Sequence, residues 1–111
     1  MEENNYKRII LPQAESDIEQ ALNYISVDLC NPDAAVGLLN DITKMMENVS
    51  RFPYSLPTLT DKRLTLGKEY RRADVNNFVI IYKIAEEQKE VRVMAALYAA
   101  SDVVARLLKR L

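Results

Sequence analysis

The sequence predicts an α+β domain: an N-terminal strand, an α-helical hairpin, a three-stranded antiparallel meander and a short C-terminal helix. Three observations predict it. Ile18, Ala21, Leu22, Ile25 and Leu29, and then Ala35, Leu38, Leu39, Ile42, Met45, Met46 and Val49, recur at steps of three and four, the period of two amphipathic helices. Residues 78–85 are an almost unbroken β-branched and aromatic run, which suits a central strand covered on both faces. The charged stretch 86–89 then interrupts it like a hairpin loop, and 90–98 resumes strand character through Val91, Val93 and Leu97.

Each element has its own punctuation. Residues 6–11 form a strand candidate stopped by Pro12, which cannot donate to a ladder but suits the first position of a helix. Glu15, Asp17 and Glu19 lie near the start of that helix, where its dipole favours negative charge. Asn31-Pro32-Asp33 ends it and begins the next, with Asn31 as N-cap and Pro32 in the first turn. The second stripe runs to Phe52-Pro53, and its methionines read as core packing. Residues 53–69 form a long basic loop with Pro53, Pro57 and Gly67. Residues 70–75 read as a strand, and Asn76-Asn77 as a tight turn, because asparagine tolerates the positive φ that such a turn demands. Ser101 or Asp102 caps a last helix in which Val104, Leu107, Leu108 and Leu111 face inward while Arg106, Lys109 and Arg110 face out.

At 111 residues the chain reads as one domain, 1–111, long enough to bury roughly 65% of its unfolded surface without disulfides or metal. A hydrophobic content of 49% beside 28% charged residues argues against disorder along most of it. Cys30 has no second cysteine to pair with, and the charged start Met1-Glu-Glu-Asn-Asn5 lacks the apolar segment of a signal peptide, so a cytoplasmic location is expected. The longest apolar stretch, 93–100, falls far short of the ~20 residues of a membrane span. The net charge of −1 conceals an asymmetry: residues 1–50 hold three basic residues against nine acidic, and residues 51–111 hold twelve against seven. A basic second half suits an anionic partner, whether nucleic acid or an acidic polypeptide.

Much chemistry is excluded. With no histidine there is no Ser-His-Asp triad, imidazole base or His-based metal site, and one cysteine cannot form a thiolate cage. Two glycines cannot make a phosphate-cradling loop. No cofactor is called for. What remains is chemistry by Arg, Lys and Tyr, which position and neutralise phosphates. Arg71 and Arg72, adjacent in a strand and so on opposite faces, are the basic candidates on the sheet. Tyr82 and Tyr98 could stack on a base, with Lys62, Arg63 and Lys68 in the loop beside them as nucleic-acid contacts.

The order of elements, and the local motifs Ile9-Ile-Leu-Pro-Gln-Ala14, Asn23-Tyr-Ile25, Asn31-Pro32-Asp-Ala-Ala35, Phe52-Pro53-Tyr54, Val75-Asn-Asn-Phe-Val-Ile-Ile-Tyr82 and Val91-Arg-Val-Met-Ala-Ala-Leu-Tyr98 followed by Asp102, resemble the RelE/ParE superfamily of toxins from bacterial type II toxin–antitoxin modules. The resemblance spans nearly the whole chain. It implies a cognate antitoxin as partner and a cellular target, either the ribosome with its mRNA or DNA gyrase. It also implies arginines near Ala95, Ala100 and Ser101 in the catalytic members, where this chain has small residues, so replacement of arginine by alanine at Ala95, Ala100 or both is one reading and a naturally less basic variant the other. Val79 stands where RelE-type nucleases often have arginine, and no tyrosine follows Tyr98. Three functions are compatible with the resemblance: a ribosome-dependent mRNA endonuclease impaired in this sequence, a ParE-like gyrase inhibitor that does no chemistry, or a module that only binds its antitoxin.

Overall fold

The structure, a computed structural model, describes residues 5–64 and 69–111. Its elements match the sequence reading closely: β1 (Lys7–Ile10), α1 (Pro12–Asn23), α2 (Pro32–Arg51), β2 (Arg71–Val75), β3 (Phe78–Ala85), β4 (Glu90–Tyr98) and α3 (Val103–Leu108). The strands lie in the order β1-β4-β3-β2. The expected meander β2-β3-β4 is antiparallel, with a bulge that places Met94 opposite the Ile81–Tyr82 step. β1 completes the sheet by pairing parallel to β4, Lys7 with Glu90 through Ile10 with Val93, a pairing that local sequence does not announce.

The boundaries have the physical causes the residues suggest. Pro12 opens α1; Asn31 caps α2 by accepting the Ala34 N–H through Oδ1 at 3.1 Å, and Asp102 caps α3 by accepting the Ala105 N–H at 3.2 Å. Asn76 takes the positive φ of 54° that the β2-β3 turn requires.

Two expectations need correcting. The first helix does not run as α-helix to Leu29: α1 ends at Asn23 and continues as a single π-helical turn, Tyr24–Asp28. The wider turn rotates the residues beyond it off the apolar stripe, so Leu29 is 54% exposed while Ile25 still packs on the core. At the C-terminus the last residues are displaced similarly. Leu111 is exposed, whereas Arg110 turns inward to Asp17.

The sheet carries a core on each face. On the inner face, α1 and α2 bring Ala14, Leu38, Ile42, Met46 and Val49 onto Val75, Phe78, Ile80, Tyr82, Val91 and Val93. On the outer face, Val103 and Leu107 of α3, with Leu59 and Leu64 of the loop, cover Val79, Ile81, Ala95 and Leu97. No helix among the described residues is long and apolar enough to cross a membrane.

Candidate functional site

The strand alternation decides where each candidate residue points. Ala73 and Val75 belong to the inner core, so Arg71 faces inward with them and Arg72 outward. Arg71 is held in place: its Nη1 donates to the Leu56 carbonyl at 2.5 Å, its Nη2 lies 3.5 Å from Glu69, and its guanidinium sits 5.1 Å from the centre of the Tyr54 ring. Arg72 pairs along its own strand with Asp74 at 2.8 Å. Tyr82 is buried on the inner side, its hydroxyl donating to the Pro53 carbonyl at 3.1 Å, and burial pushes its pKa up. It is therefore not placed to stack on a base.

The positions at which the resemblance implies arginine separate as well. Ala95 is 0% exposed and lies in the outer core beneath α3. Ala100 is exposed in the turn after β4, and the Ser101 hydroxyl donates to the Tyr98 carbonyl at 2.6 Å. Tyr98 faces the α1 side at the end of β4, stacked on Phe78 with ring centres 4.6 Å apart. Ala95 and Tyr98 thus lie on opposite faces, and Arg71 and Tyr98 lie at opposite ends of the sheet's inner face. The candidates do not converge on one cleft.

Loop and helix close the outer face together. Arg63 donates from Nε and Nη2 to Asp61 and from Nη1 to Asp102, each at 2.9 Å, tying the loop to the cap of α3. Hydrogen bonds from Arg63 hold the Asp61 carboxyl at a pKa of about 2 and depress that of Asp102, while the same bonds raise that of Arg63. Its charge is thereby spent within the protein. Lys62 beside it is exposed, and Lys68 lies outside the described residues.

Two carboxylates do more than the sequence suggested, where Glu86 reads as solvated charge in a turn and Asp17 as a dipole partner. The first is at the β3-β4 turn, where Glu86 accepts from Tyr6 at 2.8 Å, from Tyr54 at 2.6 Å and from Lys89. These donors, Lys89 foremost, draw its pKa down to about 2, and the bond to Glu86 drives that of Tyr54 up to about 12. The second is Asp17. It accepts the Ala96 N–H at 3.0 Å and a two-pronged contact from Arg110 at 2.6 and 2.8 Å, so it joins α1, β4 and the C-terminus. A signal for it was available: Asp17 falls between Ala14 and Ala21 at helical spacing, a carboxylate set among residues of the buried side.

An open apolar groove of about 420 Å³ lies between the two helices, floored by Ile18, Leu22, Ile42 and Met46 and bordered by Ile10 and Leu39. Ile10 and Leu39 are large and exposed at its border.

Comparison with known proteins agrees with this architecture. Residues 9–103 match the family model described as the ParE toxin of type II toxin–antitoxin systems, parDE. No curated protein sequence matches the chain. Among solved structures, the chain is similar to one from the chromosomal ParDE toxin–antitoxin system of P. aeruginosa, with a TM-score of 0.66 and 13% identity over 86% of this chain and 97% of that one. It is similar to one from the RelBE2 toxin–antitoxin complex of Mycobacterium tuberculosis, with a TM-score of 0.60 and 14% identity over 87% and 94%. It is also similar to one from the archaeal RelE-RelB complex of Pyrococcus horikoshii OT3, with a TM-score of 0.53 and 15% identity over 86% and 97%.

Proposed function

The chain belongs to the ParE toxin family of type II toxin–antitoxin systems, and on that premise we propose that it arrests growth by binding its target rather than by cutting RNA. DNA gyrase is the target that the family resemblance implies for such a binder. One observation carries this reading: Ala95, where the resemblance implies an arginine in the catalytic members, lies in an outer core filled by Leu97 and Leu107 and closed by the Arg63 contacts. Phosphodiester cleavage needs positive groups aimed at developing charge, and losing one such donor costs a factor on the order of 10²–10³ in rate. Here Arg71 is committed to a carbonyl, Arg72 and Arg63 to carboxylates.

The groove between α1 and α2 supplies the second half of the proposal. An amphipathic helix of a cognate antitoxin laid into it would cover Ile10, Leu22, Leu39 and Met46. The RelBE2 and RelE-RelB neighbours are themselves complexes, which supports such a partner.

Adding the purified chain to gyrase supercoiling reactions, and in parallel to a translating extract carrying a labelled messenger, separates the alternatives. Supercoiling is expected to fall in proportion to toxin added while the transcript stays intact. Cleaved transcripts with supercoiling unaffected would overturn the binding mechanism in favour of an mRNA endonuclease.

A further inference from the structure

β1 pairs with β4 only from Glu90 to Val93, because the chain leaves the sheet at Pro12 to form α1. Beyond that point the same side of β4 has no strand beside it. The Ala99 N–H bonds to Asn77, so in this antiparallel pair residues 97 and 99 direct their backbone groups toward β3, and residues 96 and 98 direct theirs to the open side. The Ala96 N–H is taken by Asp17 and the Tyr98 carbonyl by Ser101. This leaves the Ala96 carbonyl and the Tyr98 N–H, both without a partner among the described residues.

Those two groups select a direction. A residue in an antiparallel strand exchanges both of its bonds with a single opposite residue, which Ala96 and Tyr98 cannot offer. A residue in a parallel strand donates to one residue and accepts from the next but one. An incoming residue opposite Leu97 would therefore donate to Ala96 and accept from Tyr98, continuing in the direction of β1.

The surroundings select the chemistry. The open edge lies in a notch of about 220 Å³ between Gln20 of α1 with Tyr24 of the π-helical turn on one side and Arg106 of α3 on the other, with Phe78 and Tyr98 beside them. Tyr24 and Tyr98 are each 42% exposed, so an aromatic or branched side chain has two ring faces to cover. Arg106 is exposed and makes no ion pair among the described residues, whereas the notch's one carboxylate, Asp17, is already bound to Arg110. A carboxylate side chain meets one free cation there; a run of phosphates would meet Asp17 as well.

The geometry points to this notch as a docking site for an extended, acidic and aromatic segment of the toxin's protein target, added parallel to β4 and centred on Leu97. It rests on the reading of the chain as a binding toxin, and it places target contact on a different surface from the groove between α1 and α2.

The test uses the ¹⁵N-labelled full chain and an acetylated, amidated hexapeptide of alternating Glu and Phe. Its Lys/Phe counterpart and a backbone N-methylated version serve as controls. The Glu peptide should shift the amide signals of Leu97, Tyr98 and Gln20 and bind about tenfold more tightly than the Lys peptide. N-methylation should abolish the Tyr98 shift. Arg106→Glu, at an exposed position, should reverse the charge preference with the spectrum otherwise dispersed as before, and in cells should remove growth arrest without loosening the antitoxin complex. Several outcomes overturn the site: no Tyr98 shift, equal binding of the two peptides, coverage of the Tyr98 amide by the cognate antitoxin, or notch signals that broaden with protein concentration alone. A wild-type chain that does not arrest growth would count against the proposed function instead, and the peptide arm would still decide the notch.

Discussion

The two faces of the sheet are built on different principles. The inner face is covered by the twelve residues of α1 and the twenty of α2, packed in a broad apolar core to which Asp17 and Tyr82 add hydrogen bonds. The outer face is covered by the six residues of α3 and a loop, which could not hold their shape alone and are fastened by exposed ion pairs. The inner layer therefore defines the fold, while the outer layer rests on it and can change without unmaking it.

The largest effect that would test this contrast comes from charge placed in the outer core. Ala95→Arg should cost several kcal/mol, since a guanidinium there has neither room nor a carboxylate, while Ala100→Arg in the exposed turn should stay within about 0.5 kcal/mol. Urea unfolding of the two variants distinguishes them. Equal and small losses would show that the outer layer swings open readily, and would reinstate an accessible cleft.

Large-to-small substitutions sharpen the comparison on a smaller scale. Ile80→Ala, fully buried on the inner face, should lose about 3–5 kcal/mol, and Leu107→Ala about 2–3 kcal/mol, because a six-residue helix can settle toward the space that is left. Denaturant midpoints measure both. A Leu107 loss as large as that of Ile80 would mean the two layers are equally rigid.

The smallest effect is one of pH. Asp61 is held at about 2 when folded, against an ordinary 3.8, so the stabilisation it gives the loop is complete above pH 3.8 and lost as pH falls through about 2. Following the Asp61 carboxyl carbon by NMR should give a midpoint near 2. A midpoint near 3.8 would mean that the Arg63 contacts do not persist in solution.

The helical hairpin and the meander were legible because each carries a period and a stop: apolar spacing and Asn31-Pro32 for the first, the 78–85 run and Asn76-Asn77 for the second. The place of β1 was not, since a parallel partner more than 80 residues away leaves no mark in four residues of sequence. The π-helical turn was likewise hidden, because Leu29 continues the stripe in sequence and leaves it only through local winding. The site residues fared worst. Arg71, Arg72 and Tyr82 were singled out by type, but a residue's type does not say whether its charge or hydroxyl is already consumed by Leu56, Asp74 or Pro53. Asp17, read as an ordinary dipole partner, turned out to link three elements.

That β1 lies beside β4 bears on the order in which the sheet can form. β1 precedes its partner by more than 80 residues, so the sheet cannot close until residues 90–93 have been made. A chain cut short before residue 90 would lack β4 and leave β1 unpaired.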